Sequence, residues 1–153
     1  MLIGVIDGNG AEGEALTIAR EVGREIASRG HVLVCGGRGG VMHEACRGAN
    51  EAGGLTVGIL PSDDLADANE FLDIPVITGI GFARTSIVAR TANALIAIDG
   101  SYGTLSEIAF GLTAGRHIVG LRTWELRDGA GREPPIERVG SAVDARERAA
   151  PGG

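Results

Sequence analysis

The chain has 153 residues, 44% hydrophobic and 22% charged, the length of one domain with a full core and a balance that excludes disorder and collagen-like repeats. All 14 basic residues are Arg and no Lys occurs, which excludes a P-loop Lys, a Schiff base and a pyridoxal-phosphate anchor. With 20 acids the net charge is −6, so no sequence-independent grip on nucleic acid is expected.

Short apolar runs alternate with segments of helical period. Leu2–Ile6 reads as a buried strand that stops at Asp7. From Glu14 to Arg29 the apolar residues Ala15, Leu16, Ala19, Val22, Ile26 and Ala27 share one helical face, and Gly30 closes it. His31–Cys35 is a second strand, residues 41–52 a helix and Leu55–Leu60 a third strand. Residues 62–72 form a loop whose acids Asp63, Asp64, Asp67 and Glu70 read as a solvated face. Ile74–Thr78 is an edge strand, because Pro75 cannot donate to a central ladder. A helix over 82–92 precedes the strand Ala94–Ile98, and a helix over 104–114 precedes the strand His117–Leu121. Beyond Arg122 the pattern weakens: Trp124 packs on the sheet, 128–135 is turn-rich, and 142–149 forms a short helix.

Near-continuous apolar strands between helices predict an α/β fold: a Rossmann-like, doubly wound, mainly parallel sheet with helices on both faces. We expect one nucleotide- or phosphate-binding domain over residues 1–150, with 151–153 a disordered tail. Two Cys, no leader segment and no apolar run of membrane-spanning length imply a cytoplasmic protein without membrane contact.

Three glycine-rich loops fall at strand ends, where such sheets bind ligands. Gly8-Asn9-Gly10-Ala11-Glu12-Gly13 matches G-x-G-x-x-G. Cys35-Gly36 stand where a dinucleotide site wants an acid, so the match fits a generic phosphate contact better than NAD. Gly36-Gly37-Arg38-Gly39-Gly40 brings the backbone close to a ligand and supplies one cation. In the run from Asp99 to Glu107, Gly100, Ser101, Tyr102 and Gly103 lead to Thr104, a cap whose helix aims amides at an anion. Glu107 either closes a capping box with Thr104 or offers a carboxylate to the ligand, and spacing alone favours the box. His43, Cys35 and Cys46 are too few, and wrongly spaced, for a zinc site, so no metal is expected.

These motifs resemble those of a superfamily once labelled lysine decarboxylase, which includes the LONELY GUY phosphoribohydrolases and the molybdenum cofactor carrier proteins. The resemblance spans Ile3 to about Leu121. It is carried by Gly36–Met42, the Gly-Gly to Gly-Ile-Leu-Pro segment at 53–61, Thr78-Gly79 with Ala83-Arg84, and the 100–107 run, similar to P-G-G-x-G-T-x-x-E. The Gly36–Met42 run, Asn69 and the Leu-Ser-Glu ending lean toward the carriers. The resemblance implies a phosphorylated, nucleotide-like or pterin-like ligand, with molybdenum cofactor or a nucleotide as the bound molecule. Its alternative is hydrolysis of nucleoside 5′-monophosphates to free base and ribose 5-phosphate, with Arg84 and Glu107 in the catalytic positions. It also implies a homodimer or higher homo-oligomer, to which small residues on helices 82–92 and 104–115 fit. Asp99 replaces the motif's Pro, Ser101 a Gly, and Thr85 the Lys after the catalytic Arg.

Overall fold

The computed structural model describes residues 1–7 and 10–152. Seven strands form one sheet in the order β4-β3-β2-β1-β5-β6-β7, and every neighbouring pair is parallel. This is the doubly wound Rossmann-like sheet that the alternating pattern predicts. The strands β1 (Leu2–Ile6), β5 (Ala94–Ile98) and β6 (His117–Leu121) have the predicted bounds. β5 is buried along its whole length, as a central strand covered on both faces must be. β2 (Val32–Cys35) and β3 (Thr56–Leu60) each start one residue late. β4 (Ile74–Ile77) is the edge strand that Pro75 requires, with all four residues exposed.

The helices α1 (Glu14–Ser28), α2 (Val41–Glu51) and α5 (Ala142–Ala149) cover one face of the sheet. They bury Ala19, Val22, Ile26, Ala45, Ala49 and Ala145 against Ile3, Val5, Leu33, Ile96 and Ile98. α3 (Arg84–Thr91) and α4 (Tyr102–Thr113) cover the other, with Val88, Ala89 and Ile108 against Ile6, Val34, Leu95 and Ala97. Alternate strand residues thus feed two cores. Gly30 ends α1 as predicted. Its left-handed φ of 72° lets its amide reach Ala27 O, while His31 N reaches Ile26 O.

α1 and α2 touch backbone to backbone. A Cβ on Gly48 would lie 1.9 Å from Arg20 O, and one on Gly23 would lie 1.9 Å from Ala45 O. Because α2 starts directly after the 36–40 loop, this contact also sets where that loop stands.

Three expectations need correction. Residues 81–83 form a 3₁₀ turn, and α3 begins only at Arg84. α4 begins at Tyr102, capped by Ser101 rather than Thr104. A seventh strand, β7 (Ile136–Arg138), pairs with β6 where none was expected. Among the described residues no helix is long and apolar enough to cross a membrane.

Candidate functional site

The strand order reverses between β1 and β5, and ligands in open α/β sheets bind beyond the carboxyl ends at that point. A cleft of about 210 Å³ lies there, lined by Asp7, Arg38, Met42, Phe82, Arg84, Thr85, Ser101, Gly103 and Glu107. Asp7 follows β1, Arg38 follows β2, Arg84 and Thr85 open α3, and Ser101 to Glu107 open α4. Gly8 and Asn9, expected at the phosphate site, lie outside the described residues.

Arg84 and Glu107 meet inside the cleft, with Nη1 3.9 Å from Oε1 and both side chains buried. The Arg84 guanidinium rests on Gly36: a Cβ there would lie 2.1 Å from Nη1, so any larger residue would evict it. Among the described residues Arg84 Nε has no hydrogen-bond partner. Burial lowers the Arg84 pKa, and Glu107 opposes that. Burial pushes the Glu107 carboxyl up to about 8; Arg84 pulls it down by less, and Asp7 adds to the rise. Without a ligand Glu107 is therefore mostly protonated at neutral pH, a donor as well as an acceptor.

The capping box is made by Ser101 and Thr104, not by Thr104 and Glu107. Ser101 N donates to Thr104 Oγ1 at 3.1 Å, and Thr104 Oγ1 donates to Asp7 Oδ1 at 3.3 Å. Glu107 is thereby released from capping. The box also uses two of the amides expected to hold an anion, those of Ser101 and Thr104. Tyr102 and Gly103, the first two residues of α4, have no acceptor within the helix, and their amides lie at its positive end.

The glycine loops divide their work. In 36–40, Gly36 seats Arg84, whereas Gly37 packs on Leu60, Leu72 and Gly58 and faces the core. Gly39 has open space beside it, and Gly40 caps α2 with φ 63°. Arg38 has no ion-pair partner among the described residues. Its backbone is held by Asn69, whose Nδ2 donates to Arg38 O at 3.1 Å while Asn69 N donates to Gly37 O. Gly100 lies under the Trp124 indole, 2.8 Å from a Cβ position to Nε1. Trp124 Nε1 donates to Ser101 O at 2.9 Å, and its ring stacks on Tyr102, 83% exposed, with centroids 6.1 Å apart. The expectation that Trp124 packs on the sheet is therefore incomplete, because it also braces the loop.

Asp99 departs from the expected arrangement. It lines a separate pocket with Glu12, Glu14, Ile98 and Arg122, and it is not among the residues of the cleft. His43 turns to Glu44 and Glu70, while Cys35 and Cys46 touch each other at 3.5 Å. Asp7, Phe82 and Met42 line the cleft without having been expected there, although Met42 closes the 36–42 run. An acid closing an apolar strand was the available signal for Asp7. A larger, apolar groove of about 440 Å³ runs between α4 and residues 126–134. Its charged residues are already paired, Arg127 with Glu133 and Arg132 with Asp128, so it offers no group for chemistry.

The sequence profile of the SLOG cluster4 family matches residues 1–144. The molybdenum cofactor binding protein from Rippkaea orientalis superposes with a TM-score of 0.86 at 34% identity, over 95% of this chain and 93% of that one. The molybdenum cofactor carrier protein of Chlamydomonas reinhardtii gives 0.79 and 36%, over 93% and 91%. A cytokinin riboside 5′-monophosphate phosphoribohydrolase from Mycobacterium marinum is 34% identical, over 91% of this chain and 87% of its own.

Proposed function

Since the chain belongs to the SLOG cluster4 family, we propose that it binds a phosphorylated, nucleotide-like or pterin-like small molecule, such as molybdenum cofactor, in the cleft between β1 and β5. One observation carries this reading: Arg84, 8% exposed and with Nε unpartnered among the described residues, faces the same small cleft as Arg38 and the first turn of α4. A buried cation without full pairing is costly, and an anion in the cleft would offset its charge. The amide of Gly103, which lines the cleft, adds the positive end of a helix to it. The likeness to the two molybdenum cofactor proteins supports the ligand class.

The raised Glu107 pKa favours a second reading, hydrolysis of nucleoside 5′-monophosphates. The C1′–N bond would break with its electron pair leaving on the base. Protonated Glu107 would give its proton to that base, and water would add oxygen to C1′ and return a proton to Glu107. Asp99, in place of the motif's Pro, lines a separate pocket rather than the cleft. Thr85, in place of the motif's Lys, is committed to Phe82 O at 2.9 Å.

Calorimetric titration with AMP and a phosphorylated pterin, alongside chromatography for released base, separates the two readings. For a carrier, Arg84→Ala weakens binding about tenfold, Glu107→Gln leaves it within about twofold, and no base appears. Base release that Glu107→Gln slows far more than it weakens binding establishes the hydrolase. No binding of any phosphate-bearing probe rejects both.

The same reading includes self-association. Ala89 and Ala92, among the small residues expected at a helix contact, are buried in the chain's own core. Ile87 on α3 and Phe110 on α4 are exposed instead. A two-fold pair is the commonest oligomer geometry, and these side chains would lie in its contact. Light scattering at micromolar concentration is expected to give at least twice the chain mass; a monomer mass refutes it.

A further inference from the structure

The cleft is smaller than the ligand proposed for it. Sites for drug-sized ligands start at roughly 300 Å³, and this one is about 210 Å³. The cavity therefore suits a phosphorylated fragment, and a ring attached to it must lie at the mouth. The cleft is polar on Asp7, Arg84, Thr85 and Glu107 and apolar on Met42 and Phe82. Met42 is buried, but Phe82 is 65% exposed.

The chain has three Phe, one Tyr and one Trp; Tyr102 is more exposed, but its ring is stacked on Trp124 and it does not line the cleft, whereas Phe82 does. Phe82 is also held in place. Gly79 N donates to Ser62 O at 3.2 Å, Gly81 N to Pro61 O at 2.8 Å, and Thr85 Oγ1 to Phe82 O at 2.9 Å. The turn between β4 and α3 thus holds the Phe82 backbone in place at the mouth of the cleft. The ring edge lies 4.0 Å from where a Cβ on Gly103 would stand, directly beside the first turn of α4. The ring is flat and apolar, and it lies next to the amide of Gly103 that is proposed to take the phosphate.

We propose that Phe82 is the ring-stacking residue of this cleft: a planar nitrogen heterocycle of the ligand lies on its face while the phosphorylated part fills the cavity. This rests on the binding reading above. Stacking on an aromatic side chain tolerates many heterocycles, because each offers a π-face. Phe82 then contributes affinity for the ring class, and edge contacts elsewhere choose among its members.

The test compares AMP and a phosphorylated pterin with ribose 5-phosphate, which lacks the ring. Binding is followed by calorimetry on wild type, Phe82→Ala and Phe82→Tyr, with the mass of each variant measured by light scattering. Phe82→Ala is expected to weaken whichever ring-bearing probe binds by about tenfold or more and to leave ribose 5-phosphate within about twofold. Phe82→Tyr, which keeps the plane, is expected to retain ring binding. Equal weakening of ring-bearing and ring-free probes overturns the proposal. So does equal affinity of wild type for both kinds, or loss of all binding together with a fall in mass, which assigns Phe82 to a subunit contact. Ring-free binding without ring-bearing binding overturns the proposal and leaves the phosphate reading standing. Binding of no probe by wild type overturns the reading beneath it as well.

Discussion

Folding stability is expected to fall by on the order of 4 kcal/mol as pH rises from about 4.5 to above 8, and Glu107→Gln is expected to escape that fall. Glu107 is buried, and its pKa rises from an ordinary 4.5 to about 8. The folded chain therefore binds a proton that the unfolded chain has released throughout this window. Below pH 4.5 both states hold it and the stabilisation is complete; above about 8 both have lost it and the ionised carboxylate remains in a buried site. Arg84 at 3.9 Å offsets part of that cost and is already counted in the value of 8. Glu51 works in the opposite sense at lower pH: Arg20 and Arg24 hold its pKa at about 2, so its contribution is lost in acid. The substituted amide keeps the shape of the carboxyl and cannot ionise. Urea denaturation at pH 5, 7 and 9, followed by circular dichroism, should show similar stability at pH 5 and a more stable variant at pH 9. Parallel pH profiles for the two proteins refute the assignment.

Gly48→Ala is expected to cost about 3 kcal/mol or more. The added Cβ would stand 1.9 Å from Arg20 O, a backbone atom in the middle of α1. Neither helix can yield without moving a whole layer. Alanine is the better helix former, so propensity predicts a gain of almost 1 kcal/mol; the contact predicts the reverse sign. Arg47→Ala, next along α2 and 41% exposed at its side chain, is a suitable control and should stay close to wild type. If Gly48→Ala is as stable as wild type, the close helix contact is wrong. Because α2 carries the 36–40 loop, the variant should also bind phosphate probes more weakly where it remains folded.

How much of this was legible in the sequence depended on burial. β1, β5 and β6 are apolar runs closed by turn residues, and their ends could be read to the residue. Pro75 announced the edge position of β4. β7 could not be read: Ile136-Glu137-Arg138 is short and nowhere buried, and it is positioned by pairing with β6 and by side-chain contacts distant in sequence. Arg84 and Glu107 were found through the family resemblance, since spacing alone favoured a helix cap for Glu107. Two cap residues compete at the start of α4, and Ser101 takes the role because its side chain accepts from Thr104 N. Asp99 follows the last residue of β5, but its φ of 59° marks a sharp change of direction that no residue pattern displays. The Trp124 brace is long-range: it joins residues 23 positions apart, and Arg138 secures it by donating to Trp124 O.

The seam between β1 and β5 joins residues 2–6 to residues 94–98. On a ribosome adding about 5–20 residues per second, β1 is made first and then waits roughly 5–20 s for its second neighbour. β2, β3 and β4 can assemble on one side in the order of their synthesis. The other side of β1 stays open throughout, an apolar strand with unpaired amides, the kind of surface to which chaperones and aggregating chains attach. The cleft straddles this seam, so a nascent chain can hold most of a sheet before it has any part of a complete site. Substitutions that delay β5 would lower the yield of working protein during synthesis even where the finished molecule is as stable as its parent.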